Sequence, residues 1–149
     1  MKENNLLVKR KKFKPITTQS NHGLPLYSNK VKNLVVIRLN QVWVSDITYI
    51  RLAREFIYLA AIIDIFSRKC VGWKLGRNID AQLALSALNM ALNERREIGF
   101  DDLIHHSDRG VQYASYEYVN QLKTEGIQVS MSETGNPAPE IPLVAAMWT

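Results

Sequence analysis

The sequence is poor in several features that would each indicate a particular class of protein. It has one cysteine, Cys70, in 149 residues, which excludes an internal disulfide and a cysteine-based metal site. Its longest apolar run, Phe56 to Ile63, is too short to span a bilayer. The apolar stretch Leu6–Val8 is too short for a signal peptide, so we expect none. The composition, 46% hydrophobic and 22% charged, is that of one globular domain.

Negative charge is scarce in the first third of the chain. Residues 1–45 hold nine Lys or Arg and a single acid, Glu3, whereas residues 46–149 hold ten basic and thirteen acidic residues. The formal net charge of +5 is therefore the balance of a strongly basic arm and a mildly acidic body. Such an arm suits a polyanionic partner. A solvated tail has the same composition, so charge alone leaves both interpretations open.

Composition divides the chain into three segments. Residues 1–40 show no sustained period and are predicted to be a basic N-terminal arm or linker, with at most a short strand at 34–37. Residues 41–137 carry regular patterns and form the folded body. In the remainder, Pro137, Pro139 and Pro142 exclude a continuous helix, and residues 138–149 are predicted to be an irregular tail.

Periodicity within the body predicts the element order βββαβαβ. Three runs rich in β-branched and aromatic residues, within 42–50, 56–66 and 69–75, predict an antiparallel meander. A helix capped by Asp80 and stopped by Gly99 follows, and then a strand at 103–106 parallel to one of the first three. A second helix between Ser115 and Gly126 leads to a fifth strand at 127–130. The expected fold class is α/β, a mixed sheet flanked by helices.

Two acids are candidates for catalysis. Asp46 lies inside the first predicted strand, where a carboxylate is costly without a partner or a metal ion. Asp108 follows the fourth predicted strand. If these strands are neighbours, the two carboxylates meet and can share a divalent cation, with oxygen ligands favouring magnesium or manganese over zinc. Purely structural roles are also open: a backbone hydrogen bond or an arginine pair for Asp46, and a turn for Asp108.

Three motifs in this order resemble those of a known family. They read NQVWVSDITYI at 40–50, DIFSRKCVGW at 64–73 and HSDRGVQYAS at 106–115. They are similar to the integrase-core (DDE) transposases of bacterial insertion sequences, in the OrfB group. The segment SNHGLP at 20–25 is similar to the linker that precedes the core in those proteins. The resemblance covers most of the chain, from Lys9 to Pro137.

The resemblance implies a ribonuclease H-like fold, with residues 41–137 as a partial catalytic core. It implies that Asp46 and Asp108 are the first two catalytic and metal-binding acids. The implied activity is DNA transposition and integration, in which DNA strands are cleaved and joined with magnesium or manganese. The implied partners are the element ends and target DNA, together with a second copy or a full-length transposase. The implied location is the bacterial cytoplasm, on the nucleoid and without a membrane.

The sequence departs from the family at the third acid. Members place a catalytic glutamate on a helix just after a Gly-Asn-Pro segment. Here Gly135–Pro137 is present, but the matching position is Val144, and the nearest acid, Glu140, lies between two prolines. We therefore expect a fragment, incomplete at the C-terminus, whose reading frame changed near Ala138, with weakened metal binding and impaired catalysis.

Two other functions remain open at this point. One is a non-catalytic nucleic-acid-binding or regulatory remnant of a transposase. The other is a stand-alone ribonuclease H-like nuclease, which the missing acid and the transposase-like motifs disfavour.

The predicted DNA contacts are basic. In the arm they are Lys9, Arg10, Lys11, Lys12 and Lys14. In the body, Arg109 either contacts phosphate or pairs with the neighbouring Asp108. Phosphate contacts of this kind add affinity without sequence specificity.

Other conspicuous side chains are assigned to structure. Strand alternation sends His105 and His106 to opposite faces, so only His106 is a candidate for the Asp108 site. Asp64 is predicted to serve a turn, and Cys70 to be an inert buried thiol. Three aromatic residues are predicted to lie in the core: Trp43, Tyr58 and Trp73.

Overall fold

The computed structural model describes residues 22–133, which form five strands and three helices. In chain order these are β1 (Val42–Arg51), β2 (Phe56–Asp64), β3 (Cys70–Gly76), α1 (Ala81–Arg95), β4 (Ile104–Ser107), α2 (Val111–Ala114), α3 (Tyr116–Thr124) and β5 (Gln128–Met131). The predicted α/β fold is confirmed. The one element that the sequence pattern missed is α2, a single helical turn between β4 and α3.

The strands form one mixed sheet in the order β3-β2-β1-β4-β5. The predicted meander is confirmed, because β2 pairs antiparallel with both β1 and β3. The crossover through α1 then places β4 parallel to β1, and β5 lies parallel to β4. Residues far apart in sequence on β1 and β4 are therefore neighbours in the middle of the sheet.

The core lies between one face of the sheet and the helices. Trp43 and Ile62 of the sheet and Leu88 of α1 are fully buried there, as are Tyr118 and Leu122 of α3. The Trp43 indole donates a hydrogen bond to the side-chain oxygen of Asn40. The prediction that Trp43 belongs to the core is confirmed, and Tyr58 packs against the same cluster.

A buried carboxylate connects the β2–β3 turn to the start of β1. Asp64 is fully buried, and its Oδ1 accepts from the Phe66 N–H at 2.9 Å. Its Oδ2 accepts from the Asn40 N–H at 3.0 Å and lies 4.0 Å from the Arg95 guanidinium. The predicted structural role of Asp64 is confirmed. Its carboxylate also connects the turn to Asn40, just before β1, and to Arg95 of α1.

The described part of the arm, residues 22–40, contains no helix or strand, so the predicted strand at 34–37 is wrong. This segment is nevertheless fixed to the body. The Lys30 N–H donates to Ser130 Oγ at 2.9 Å, and Lys30 Nζ donates to Gln128 Oε1 at 3.0 Å. The Lys123 ammonium lies 5.3 Å from the centre of the Tyr27 ring. The linker therefore contacts β5 and α3.

Three further expectations are corrected or refined. Helix α1 begins after the predicted cap Asp80 but ends at Arg95, before the predicted stop at Gly99. Cys70 is only half-buried, and burial raises the pKa of its thiol. Trp73 is not in the core: 48% of its surface is exposed, because it lies on the face of the sheet that α1 does not cover.

Two predicted segments, the cluster at 9–14 and the tail at 138–149, lie outside the described residues. No helix within residues 22–133 has the length and apolarity needed to cross a bilayer.

The packing of α1 on the sheet depends on a missing side chain at Gly72. A Cβ there would clash with the carbonyl oxygen of Ala87 and lie 2.8 Å from the Ala91 Cβ. We expect Gly72→Ala to lower the free energy of unfolding by about 1–3 kcal/mol, because the helix must move off the strand. Urea denaturation measures this change. Gly23→Ala is the control, since a Cβ there meets nothing within 4 Å; equal losses in the two variants would contradict the explanation.

Candidate active site

The register of the β1–β4 pair brings the two candidate acids together. The last residue pair between the two strands is Val44 of β1 with His106 of β4. Asp46 is two residues beyond Val44, and Asp108 is two residues beyond His106. Since strand side chains alternate, Asp46 projects from the face opposite α1. The charge of Asp108 also raises the pKa of Asp46, so the two carboxylates interact.

Asp46 is held at an unusual position for a carboxylate. It is an exposed residue between buried Ser45 and Ile47, and its Oδ1 accepts the Ile47 N–H at 2.9 Å. Desolvation raises its pKa most, the charge of Asp108 adds to this, and the Ile47 N–H opposes it. Within residues 22–133 Asp46 forms no ion pair with a basic side chain. A carboxylate whose pKa is raised by desolvation and by a neighbouring charge is typical of a functional site.

Asp108 is fixed by a tight turn. Its Oδ1 accepts the Gly110 N–H at 2.8 Å. A Cβ on Gly110 would lie 2.9 Å from this same oxygen and 2.9 Å from Gln112 Oε1, so a larger residue at this place would displace the Asp108 and Gln112 side chains. The structural role that the sequence left open for Asp108 is therefore present. It orients the carboxyl group at the end of β4, beside Asp46.

Arg109 makes contacts that the sequence did not predict. Its Nε donates to the Ser132 carbonyl at 2.6 Å, and its own carbonyl accepts from His22 Nε2 at 2.8 Å. The loop that carries Asp108 is thus connected to the end of β5 and to the linker. His22 belongs to the linker motif, but no short-range signal could have indicated a partner 87 residues away.

The two histidines lie on opposite faces of β4, as predicted. His105 is buried in the core, where its Nε2 is 3.0 Å from the Tyr118 hydroxyl. His106 shares the Asp46 face, and its Nδ1 is 2.9 Å from Ser130 Oγ. Burial, with a smaller contribution from His106, lowers the pKa of His105 to about 3, and burial lowers that of His106 to about 4. Both imidazoles are therefore neutral at physiological pH.

A pair of buried tyrosines lies behind the site. The rings of Tyr113 and Tyr118 meet edge to face, with centroids 5.4 Å apart. Burial raises the pKa of Tyr113, and the charges of Asp46 and Asp108 contribute to the same shift. The structure places both rings behind the carboxylates.

The donor set suits a hard cation only in part. Asp46 and Asp108 offer oxygen ligands, which magnesium and manganese prefer. Among residues 22–133, however, no three His, Cys, Asp or Glu side chains form a group that could hold a metal ion. The described site is therefore a two-carboxylate site.

Comparison with known proteins places this arrangement in a family. Residues 38–137 match the profile of the family described as integrase core domain. The transposase InsF for insertion sequence IS3A of Escherichia coli (strain K12) is 40% identical over 126 residues, which is 84% of this chain and 43% of the relative. The chain thus spans less than half the length of this curated relative.

Solved structures show the same fold. The catalytic core domain of HTLV-2 integrase in complex with magnesium has a TM-score of 0.56 at 18% identity, over 73% of this chain and 65% of that chain. The Mos1 transposase catalytic domain with raltegravir and manganese has a TM-score of 0.57 at 21% identity, over 73% and 59%. The predicted ribonuclease H-like fold is confirmed.

Asp46→Asn tests whether the ionised carboxylate lowers the stability of the folded protein. Because folding raises the pKa of Asp46, the folded protein binds this proton more tightly than the unfolded chain does. The free energy of unfolding therefore falls as the pH rises through the raised pKa. Without divalent cations, we expect Asp46→Asn to be more stable than wild type at neutral pH. The difference in stability between the two proteins should vanish below pH 3.8, since 3.8 is the ordinary pKa of an aspartate side chain.

Urea denaturation in EDTA across this pH range measures the difference. Asp101→Asn is the control, because it removes the same charge from an exposed loop. A wild type more stable than Asp46→Asn at neutral pH would contradict the prediction.

Proposed function

This chain belongs to the integrase core domain family, and from that membership we propose that it functions in, or descends from a protein of, DNA transposition. The observation that supports the proposal best is the placement of Asp46 and Asp108 across the β1–β4 pair, on the face of the sheet opposite α1. Desolvation and the charge of Asp108 destabilise the ionised form of Asp46, and a bound cation would stabilise it. Because the chain spans under half of its curated relative, the reaction of the whole protein is part of this proposal.

We propose that Asp46 and Asp108 hold a magnesium or manganese ion. The solved relatives with magnesium and with manganese support this choice of metal. Such an ion, when bound, activates a water molecule or a 3′-hydroxyl and stabilises charge at phosphorus. The chain itself orients the ligands: the Ile47 N–H fixes one oxygen of Asp46, and the Gly110 N–H fixes one oxygen of Asp108.

We further propose that this chain is catalytically impaired. Val144, at the position of the third acid, lies outside the described residues, and its side chain cannot bind a metal ion. With two carboxylates, a second ion loses its anchor, and the charge that develops on the phosphate loses stabilisation. The same observation favours a second candidate function, a non-catalytic DNA-binding or regulatory remnant that competes with or assembles onto full-length transposase.

A strand-transfer assay tests the impairment. We expect the purified chain to join no DNA strands when it is incubated with duplexes of its cognate element ends and magnesium. Joining that Asp46→Asn abolishes would contradict the proposal.

Metal binding is measured separately, by the free energy of unfolding with added manganese. At ten times the dissociation constant, a single bound ion adds about 1.4 kcal/mol. Wild type should gain this stability, and Asp46→Asn should not. A gain in neither protein would contradict the metal site itself.

We also propose that the basic arm binds the DNA backbone. Its contact residues are Lys9, Arg10, Lys11, Lys12 and Lys14, which lie outside the described residues. In the body, Arg109, next to Asp108, is a further proposed phosphate contact. The support is the positive charge of residues 9–14, which contain five basic residues and no acid. A protein that acts on DNA in this way would work in the bacterial cytoplasm, on the nucleoid, either with a second copy or with full-length transposase.

Neutralising the arm tests its contact with DNA. Changing its five cations to glutamine should reduce the slope of log affinity against log salt by about 4, because each phosphate contact releases counterions. The loss should be the same for unrelated DNA sequences. Arg96→Gln, which removes a cation already paired with Glu125, is the control. A slope unchanged in the five-residue variant would contradict the proposal.

A further inference from the structure

Trp73 is unusually accessible for a tryptophan. It lies on β3, an edge strand of the sheet, with 48% of its surface exposed. A large aromatic side chain on an open surface is more typical of a binding site than of a core. Helix α1 cannot cover it, because the helix packs against the other face at Gly72.

The exposed ring lies in the same row of the sheet as Asp46. Asp46 pairs with Ala61 on β2, and Ala61 pairs with Trp73 on β3. Directly paired side chains share a face, and two strand spacings separate the ends of this row by about 10 Å. Ala61 lies between the carboxylate and the indole and is buried, with 6% of its surface exposed. The row therefore links the candidate site to the edge of the sheet.

The edge around Trp73 is positively charged. Residues 65–79 contain four cations and no acid. Lys69 and Arg77 are paired with Glu94 and Glu55. Arg68 and Lys74 have no ion-pair partner within the described part of the chain. Since neighbouring strand residues point to opposite faces, Lys74 lies at the same edge as Trp73 but on the other face. The charge favours a polyanion over an apolar protein surface.

A second copy of the chain is a poorer fit to this edge. Edge strands recruit other strands through unpaired backbone donors and acceptors. The N–H of Trp73 is already used, because it donates to the Met90 Sδ at 3.4 Å. Strand addition at this point would have to break that contact. What the edge offers is the indole face and the nearby cations.

We propose that Trp73 stacks on an unpaired base of the DNA strand that lies at Asp46 and Asp108, with Arg68 of the β2–β3 turn available to its phosphates. Aromatic side chains bind single-stranded nucleic acid in this way without sequence preference, because every base has a π-face. The inference rests on the proposed function, since it requires DNA at the two carboxylates. Stacking on Trp73 is the additional contact that would hold an unpaired DNA strand next to Asp46 and Asp108.

Fluorescence titration tests the stacking directly. In a Trp148→Phe background the remaining tryptophans are buried Trp43 and exposed Trp73. A single-stranded oligonucleotide, or a duplex with a frayed end, should quench the emission of this protein. The same DNA should leave the emission unchanged after a further Trp73→Phe substitution. Fully paired duplex of the same length should quench less, because its bases are already stacked.

Affinity provides the second measurement. Trp73→Ala should weaken binding to the single strand by about tenfold or more, and Trp73→Phe by less, because an aromatic face remains. Leu75→Ala is the matched control, since Leu75 is 42% exposed on the same face and strand but cannot stack. Thermal melting shows whether each variant is folded.

The outcomes separate this inference from the function on which it rests. If wild type binds no DNA at all, the proposed function fails and the stacking fails with it. If wild type binds DNA and Trp73→Ala binds equally well, only the stacking is overturned. Equal losses in Trp73→Ala and Leu75→Ala, together with sedimentation that shows a dimer lost in both, would identify a second copy as the occupant and overturn the proposal.

Discussion

The parallel pairing of β1 with β4 is the contact on which both the sheet and the candidate site depend. It joins the antiparallel meander to the second half of the sheet, and it brings Asp46 beside Asp108 although 61 residues separate them in the chain. Helix α1, which connects the meander to β4, packs closely on β3 at Gly72. The close approach of this helix supports the arrangement in which two distant carboxylates meet.

The buried Asp64 carboxylate reinforces this arrangement from the opposite end of β1. Burying a charge is costly unless hydrogen bonds and a counter-charge compensate, and here backbone donors from two segments and the nearby Arg95 supply them. Asp64 and Asp46 thus differ in kind. The Asp64 charge is compensated by hydrogen bonds and a nearby arginine, whereas Asp46 has one backbone hydrogen bond and no ion pair within residues 22–133.

Local patterns were sufficient to predict the five strands of the sheet and the Asp80 and Ser115 caps, because each depends on alternation or capping residues close in sequence. They could not reveal contacts such as His22 with Arg109, which arise only when distant segments pack. Trp73 shows a second limit. Alternation indicates which face of a strand a residue shares, but not whether a helix covers that face.

The linker is attached on both sides of the loop that carries Asp108. His22 binds the carbonyl of Arg109, and Lys30 binds Ser130, whose hydroxyl also contacts His106 on the face of the two acids. Residues 22–30 are therefore joined to the neighbourhood of the candidate site at two separate points, and the linker forms part of the same packed unit as the loop that carries Asp108.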